Sequence, residues 1–220
     1  MMSLGARTPR AVRLEGKVIR LRAVKEEDLS LVVRWMNDPE VRYWLHHSDR
    51  PDATVETVRG RFGLTDDGFP NLVWMIETLR VLPQTQSPTQ GGLLRVLPDD
   101  PAHSGQAEGR PVGHVGLLGV DAHHKRAELA ISIGEKECWS RGYGTDAISA
   151  VLRHGFATLG LRRIDLHTDA DNARGIRCYE KAGFVREGVM RERRLRYGEP
   201  VDMVVMGALR EEWLEVRGKR

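Results

Sequence analysis

The apolar and polar positions change period several times along the chain, and each change marks an element. Gly16 to Arg22 alternates apolar and charged side chains, as a half-buried strand does, and Leu29, Val32, Val33 and Met36 then recur at helical spacing within 26–36. Asn37-Asp38-Pro39 ends that helix, because a proline pushes the residue before it out of the helical region. A second helix is predicted from Thr54 to Phe62, with Asp52 or Thr54 available as its cap. Leu72–Leu82 and Val112–Val120 read as strands. From Ala127 the pattern sharpens into strand 127–133, loop 134–142, helix 143–159, strand 162–168, helix 172–182 and two strands around Tyr197-Gly198-Glu199. Ile148, Val151, Leu152, Phe156 and Leu159 give the long helix one apolar stripe.

Strands and helices alternating through one core predict an α/β or α+β three-layer domain, with the front half supplying an antiparallel meander. Residues 83–110 break the pattern. They are rich in Pro, Gly, Gln, Ser and Asp, which predicts a mobile insertion in a single domain spanning 1–220. The pentapeptide Leu-Arg-Val-Leu-Pro at 79–83 and again at 94–98 would let the flanking strands run into the insertion, although two copies are too few for a solenoid.

Composition narrows the class. With 220 residues, 40% apolar content and a formal charge of +3, the chain reads as an ordinary globular protein. No apolar run reaches membrane-spanning length and Met1–Arg10 lacks the apolar stretch of a signal peptide, so a cytoplasmic protein is expected. The 34 basic residues are interleaved with 31 acids, and Arg191, Arg193, Arg194 and Arg196 alternate across both faces of a predicted strand beside Glu192 and Glu199. A solvated surface, with no nucleic-acid or membrane partner, is the expectation. Cys138 and Cys178 stand far apart with no Cys or His at ligand spacing, which predicts free thiols and no metal site.

Candidate chemistry concentrates at Leu129-Ala-Ile-Ser-Ile-Gly134 and at Arg141-Gly-Tyr-Gly-Thr145, where a strand runs through a glycine-bearing turn into a helix. Free backbone amides and the helix dipole make such a start a diphosphate site, with Gly142 and Gly144 letting a ligand approach and Thr145 adding a hydroxyl. Neither a Walker loop nor a Rossmann fingerprint is present around residue 142. The next strand–helix unit carries Asn172, Gly175, Tyr179, Gly183 and Phe184.

With Trp35-Met-Asn-Asp-Pro-Glu-Val41, the loop 141–145 and the Asn172…Tyr-Glu-Lys-x-Gly-Phe184 run, the sequence resembles the GNAT superfamily of N-acetyltransferases through nearly its whole length. Within it the chain looks like the Rim-type branch, which includes ribosomal-protein N-terminal acetyltransferases. The superfamily signature has Gln or Arg where this chain has Trp139, and tryptophan is common there in the Rim-type branch. The resemblance implies a GNAT fold, a mixed and twisted sheet with helices on both faces and a splay between two central parallel strands. It implies acetyl-coenzyme A as cosubstrate and direct transfer to an amine. Ile131, Ser132 and Ile133 would pair through their backbone with the pantetheine arm, and Arg141, Gly142, Tyr143, Gly144 and Thr145 would hold the diphosphate. Asn172 would contact the pantetheine or nearby backbone, and Tyr179 would protonate the departing thiolate, its alternative being a ring packed beside Phe184.

By position Glu128 is the candidate base for the amine, against the alternative of a solvent-facing strand carboxylate, and His114, His123, His124 and His167 are further candidates. Adjacent His123 and His124 read as turn residues. Either cysteine would serve as an acyl-carrying nucleophile only with a His and carboxylate pattern that neither has. The acceptor, a small-molecule amine or a protein N-terminus, stays open. Segment 37–50 mixes Asp38, Glu40 and Asp49 with Arg42, Arg50 and two histidines, which argues against polyamines. The reading admits a homodimer, and the rival is a noncatalytic acyl-coenzyme A sensor that would keep loop 141–145 without needing Tyr179.

Overall fold

Alternation along the strands sends side chains to opposite faces of one eight-stranded sheet, and each face builds its own core. The structure is a computed structural model that describes residues 13–45, 50–62, 71–79 and 109–218. Its strands are β1 (Leu14–Glu15), β2 (Ile19–Ala23), β3 (Leu72–Thr78), β4 (Pro111–Asp121), β5 (Arg126–Ile133), β6 (Arg163–Asp169), β7 (Val185–Arg196) and β8 (Glu199–Leu209). They lie in the order β1-β2-β3-β4-β5-β6-β8-β7, antiparallel except for β5 against β6. The insertion predicted at 83–110 and the second Leu-Arg-Val-Leu-Pro lie outside the described residues, apart from Gly109 and Arg110.

One face carries Ile19, Leu21, Trp74, Ile76, Val115, Leu117, Ala127, Leu129, Ile164 and Leu166. It is covered by α4 (Tyr143–Arg153), α5 (Ala173–Ala182) and α6 (Arg210–Gly218). The other face carries Met75 and Val73 under α1 (Leu29–Asn37) and α3 (Val55–Arg61), with the short α2 (Pro39–Tyr43) between them. The expected three layers are therefore present. Among the described residues no helix is long and apolar enough to cross a membrane.

Local chemistry explains several junctions. Asp38 ends α1 in the extended conformation that precedes proline, and its carboxylate then accepts from Glu40 N–H at 3.0 Å and Val41 N–H at 3.2 Å to start α2. Thr54 caps α3 through Thr57 N–H. The helix predicted over 143–159 is α4 followed by a single wide turn at 154–158, where Leu159 N–H reaches His154 C=O at 3.0 Å. Gly155 sits in that turn because a Cβ there would come within 2.6 Å of Ile164. The last helix, α6, was not predicted, and its Trp213 packs against Phe156 with ring centroids 5.6 Å apart.

Arg194 and Arg196 correct the expectation of a solvated basic stretch. A bulge between Met190 and Arg194, with Glu192 at φ +48°, delivers both side chains to the end of β6. Arg194 binds Asp169 at 2.7 Å, and Arg196 binds Asp169 at 2.7 Å, Asp171 at 2.8 Å and the Tyr43 hydroxyl at 2.6 Å. Burial alone would raise the Asp169 carboxyl, but the hydrogen bonds from Arg194 and Arg196 prevail and hold it below its ordinary value.

Asp169 is only 1% exposed, so neutralising it takes a carboxylate away from two guanidinium groups that are themselves little exposed. Asp169→Asn is expected to cost about 3 kcal/mol in urea denaturation at neutral pH. Because the folded carboxyl binds its proton more weakly than the unfolded one, the wild-type stabilisation is present above the unfolded pKa and is lost as pH falls through the folded one. The variant should lose less stability over that acid range. A neutral-pH loss below about 1 kcal/mol would show that the cluster is a surface feature.

Candidate active site

Strands β5 and β6 pair only through Arg126–Arg163, Ala127–Ile164 and Glu128–Asp165. Beyond that point β5 stays with β4 as far as Ile133 while β6 stays with β8 as far as Asp169, so the two part and open a cleft of about 530 Å³. Gly134 N–H donates to Val112 C=O at 2.9 Å, and the alternation of an antiparallel ladder then fixes the rest. The backbone of Ser132 turns to β4, while that of Ile131 and Ile133 turns to the cleft. Ser132 therefore reaches the cleft by its side chain, unlike its two neighbours. Trp139 Nε1 takes the Ile133 carbonyl at 2.8 Å, and the Arg174 guanidinium stacks 3.8 Å from the Trp139 ring.

At the mouth on the α4 side, Ser140 (φ +60°) and Gly142 (φ +86°) turn the chain so that α4 points its first amides inward. The N–H groups of Tyr143, Gly144 and Thr145 have no acceptor within the helix. Tyr143 offers only its amide, since its side chain belongs to the core. Each glycine also has a reason within the fold itself. Gly142 is required by its left-handed φ, for a Cβ there would meet nothing within 4 Å. At Gly144 a Cβ would lie 3.3 Å from Cys178 Sγ and 4.0 Å from Ile131 and Ile133, so its bareness lets α4 close on β5 and α5. Thr145 Oγ1 lies 3.2 Å from the same sulfur, and Arg141 is exposed. Asp146 looks away, accepting from Val18 N–H at 2.8 Å and Ile19 N–H at 3.2 Å. Arg174, Arg177 and Lys181 also line the cleft. Their i, i+3, i+7 spacing on α5 was a readable signal that the sequence analysis passed over.

Asn172 caps α5: its Oδ1 accepts from Gly175 N–H at 3.0 Å, and its Nδ2 donates to Thr168 Oγ1 at 3.2 Å. Thr168 in turn hydrogen-bonds the Tyr179 phenol. Burial pushes that phenol well above its ordinary pKa and Cys178 adds to the effect, with the Thr168 bond opposing them, so Tyr179 keeps its proton at neutral pH. The Tyr179 ring also meets Phe184 edge-on, centroids 6.2 Å apart. Burial raises the Cys178 and Cys138 thiols as well, which leaves both as thiols and poor nucleophiles.

Glu128 lies on the opposite face of β5, half-exposed, with Oε1 3.3 Å from His167 Nδ1 on β6. His114 lines the same side of the cleft, its ring 5.0 Å from Phe62. His123 and His124 occupy the turn between β4 and β5, and neither lines the cleft.

A cleft made by parting parallel strands, with helix-start amides on one side, can be compared with known proteins. A family model described as an acetyltransferase (GNAT) domain matches residues 19–185. The chain belongs to this GNAT family. Among its relatives, the uncharacterized N-acetyltransferase YoaA of Bacillus subtilis is 36% identical over 91 residues, covering 41% of this chain and 51% of that protein. The spermidine N(1)-acetyltransferase of Vibrio cholerae is 31% identical over 103 residues, 47% of this chain and 59% of that protein. The matched stretches thus span little more than half of these curated relatives. Spermidine N-acetyltransferase from Vibrio cholerae, in complex with CoA and spermine, superimposes with a TM-score of 0.68 at 21% identity, covering 89% of this chain and 98% of that one. That likeness shows the GNAT fold.

Within the GNAT cleft, burial lowers the His114 imidazole to about 4, the nearby Arg61 charge acting in the same direction. His114 is therefore expected to be neutral through the physiological range, with an NMR titration midpoint near 4. A midpoint at the ordinary histidine value would mean that water reaches the ring freely.

Proposed function

We propose that this GNAT protein moves an acetyl group from acetyl-coenzyme A to a primary amine by direct transfer. The observation that carries the reading is the parting of β5 and β6 after Glu128. It gathers the Ile131 backbone, the amides of 143–145 and the Tyr179 hydroxyl at one cleft, with Glu128 and His167 across β5. The CoA-bound relative of the same fold supports it. Residues 141–145 fit a diphosphate, Ile131 and Ile133 offer backbone groups to a pantetheine amide, and Asn172 acts through the start of α5.

In the proposed reaction the amine nitrogen bonds to the thioester carbon and the carbon–sulfur bond breaks. Glu128, with His167 beside it, accepts the proton the amine loses, and Tyr179 gives its proton to the departing thiolate. The hydrogen-bond order around Tyr179 suits that task. Gly175 N–H fixes the Asn172 amide, Asn172 Nδ2 occupies a Thr168 lone pair, and the Thr168 hydroxyl proton is then available to the phenol oxygen. This leaves the phenol's own proton for the cleft. An acyl-enzyme route has no support, since both thiols are held protonated. A noncatalytic sensor would have no use for a protonated Tyr179 phenol at the cleft. The proposal extends to a Rim-type branch, supported by Trp139 holding Ile133, and to a cytoplasmic protein with 83–110 as an insertion in one domain.

Two measurements test it. Acetyl-coenzyme A binding by calorimetry should weaken in Gly142→Asp and Gly144→Asp, through charge repulsion at both and strain or packing at each. Wild-type affinity in both folded variants would place the cosubstrate elsewhere. Tyr179→Phe should lower kcat by about 10²-fold or less, because a thiolate leaves more readily than an alkoxide, with affinity nearly unchanged. Unchanged turnover would remove Tyr179 from the chemistry, and joint loss of affinity and stability would reduce it to packing against Phe184.

A further inference from the structure

We propose that the acceptor is a small primary monoamine with an apolar body, and that polyamines are poor substrates. The inference rests on the acetyl-transfer reading above and concerns the side of the cleft under α1, α2 and α3. There Met36, Val41, Leu45, Phe62, Val73 and Leu118 form the lining, and Glu128 with His167 marks the end where the strands part. One ammonium group thus finds a carboxylate, and what it is attached to finds hydrocarbon.

A polycation needs several carboxylates able to face it, because an unpaired charge taken out of water is costly. Among the described residues lining the cleft, Glu128 is the one carboxylate. Among the described residues, carboxylates on neighbouring segments are already engaged. Lys136 binds Asp38 at 3.0 Å and Glu40 at 2.6 Å. Glu135 accepts from Arg34 and Trp35 at 2.7 Å and from Arg110 at 2.6 Å. Asp169 and Asp171 are held by Arg194 and Arg196. His114, neutral and tilted against Phe62 with ring centroids 5.0 Å apart, contributes an aromatic wall. The Vibrio cholerae relative is named for spermidine, so this reading separates the two proteins at their acceptor sides.

The test uses the full chain with acetyl-coenzyme A and three acceptors: phenethylamine, spermidine and a short peptide with a free N-terminus. Thiol release and product mass are followed. Phenethylamine should exceed both others at least tenfold in kcat/KM. Leu118, half-buried and paired in register with Glu128, gives the specificity variants. Leu118→Glu should raise kcat/KM for spermidine and lower it for phenethylamine, while Leu118→Gln should do only the second. Preference of the wild type for spermidine or for the peptide overturns the inference and leaves acetyl transfer standing. If acetyl-coenzyme A binds but no acceptor releases thiol, acetyl transfer falls. Calorimetry of phenethylamine against the CoA-loaded protein then decides the inference alone, saturable binding stronger than that of spermidine supporting it and its absence overturning it.

Discussion

Three rungs of parallel pairing, and no more, set the character of this molecule. A ladder continued past Glu128 would bury the Ile131 backbone against β6 and leave no cleft. Each strand is instead kept by its other neighbour, β5 by β4 and β6 by β8. Backbone groups facing an unfilled gap cost roughly 1–3 kcal/mol each where water cannot serve them. The chain covers one of them itself, with the Trp139 indole on Ile133, and leaves Ile131 as an edge that a ligand amide can complete.

The separation is held on both lips. On one, Asp146 fastens the start of α4 to the β1–β2 turn, and Gly144 lets that helix sit against β5 and α5. On the other, Asp169 at the end of β6 is held by two arginines, one of which also binds Tyr43 on α2. The second lip therefore ties the far side of the sheet to the helices that roof the other chamber. Charges that look like a binding surface in the sequence are consumed in this way, and among the described residues the cleft lining carries one carboxylate, Glu128.

Most of the fold was legible because hydrophobic period and turn chemistry agree with the tertiary structure over long stretches. The 127–133, 163–169 and 173–182 elements and the Tyr197-Gly198 hairpin turn, both residues at positive φ, were readable on those grounds. What escaped depends on contacts between distant residues. The wide turn at 154–158 answers to Ile164, and the helix at 210–218 is anchored through Trp213 rather than by a strong apolar stripe of its own. Arg194 and Arg196 read as surface because only the bulge at Glu192 brings them to Asp169. At the site, the glycine turn and Tyr179 were visible as motifs, but the Thr168–Asn172 support of Tyr179 and the Glu128–His167 pairing come from strand register, which one sequence does not specify.

The same period of two has a consequence for how such a cleft changes specificity. In the proposed reading the backbone of Ile131 serves the donor side, while the side chains of Glu128, Ala130 and Ser132 lie on the other face of β5, toward the acceptor. In that reading donor recognition is carried by main-chain groups and by the start of α4, which side-chain substitution on the other face leaves in place. The proposed acceptor chamber is lined by residues of α1, α2, β3 and β4 on that other face. In the same reading, exchanging Met36, Val73 or Leu118 for acids would alter what the acceptor chamber admits while leaving the groups proposed to hold the thioester in place. The geometry beneath this is that of one strand, β5, whose backbone edge and alternate side chains face different parts of the cleft.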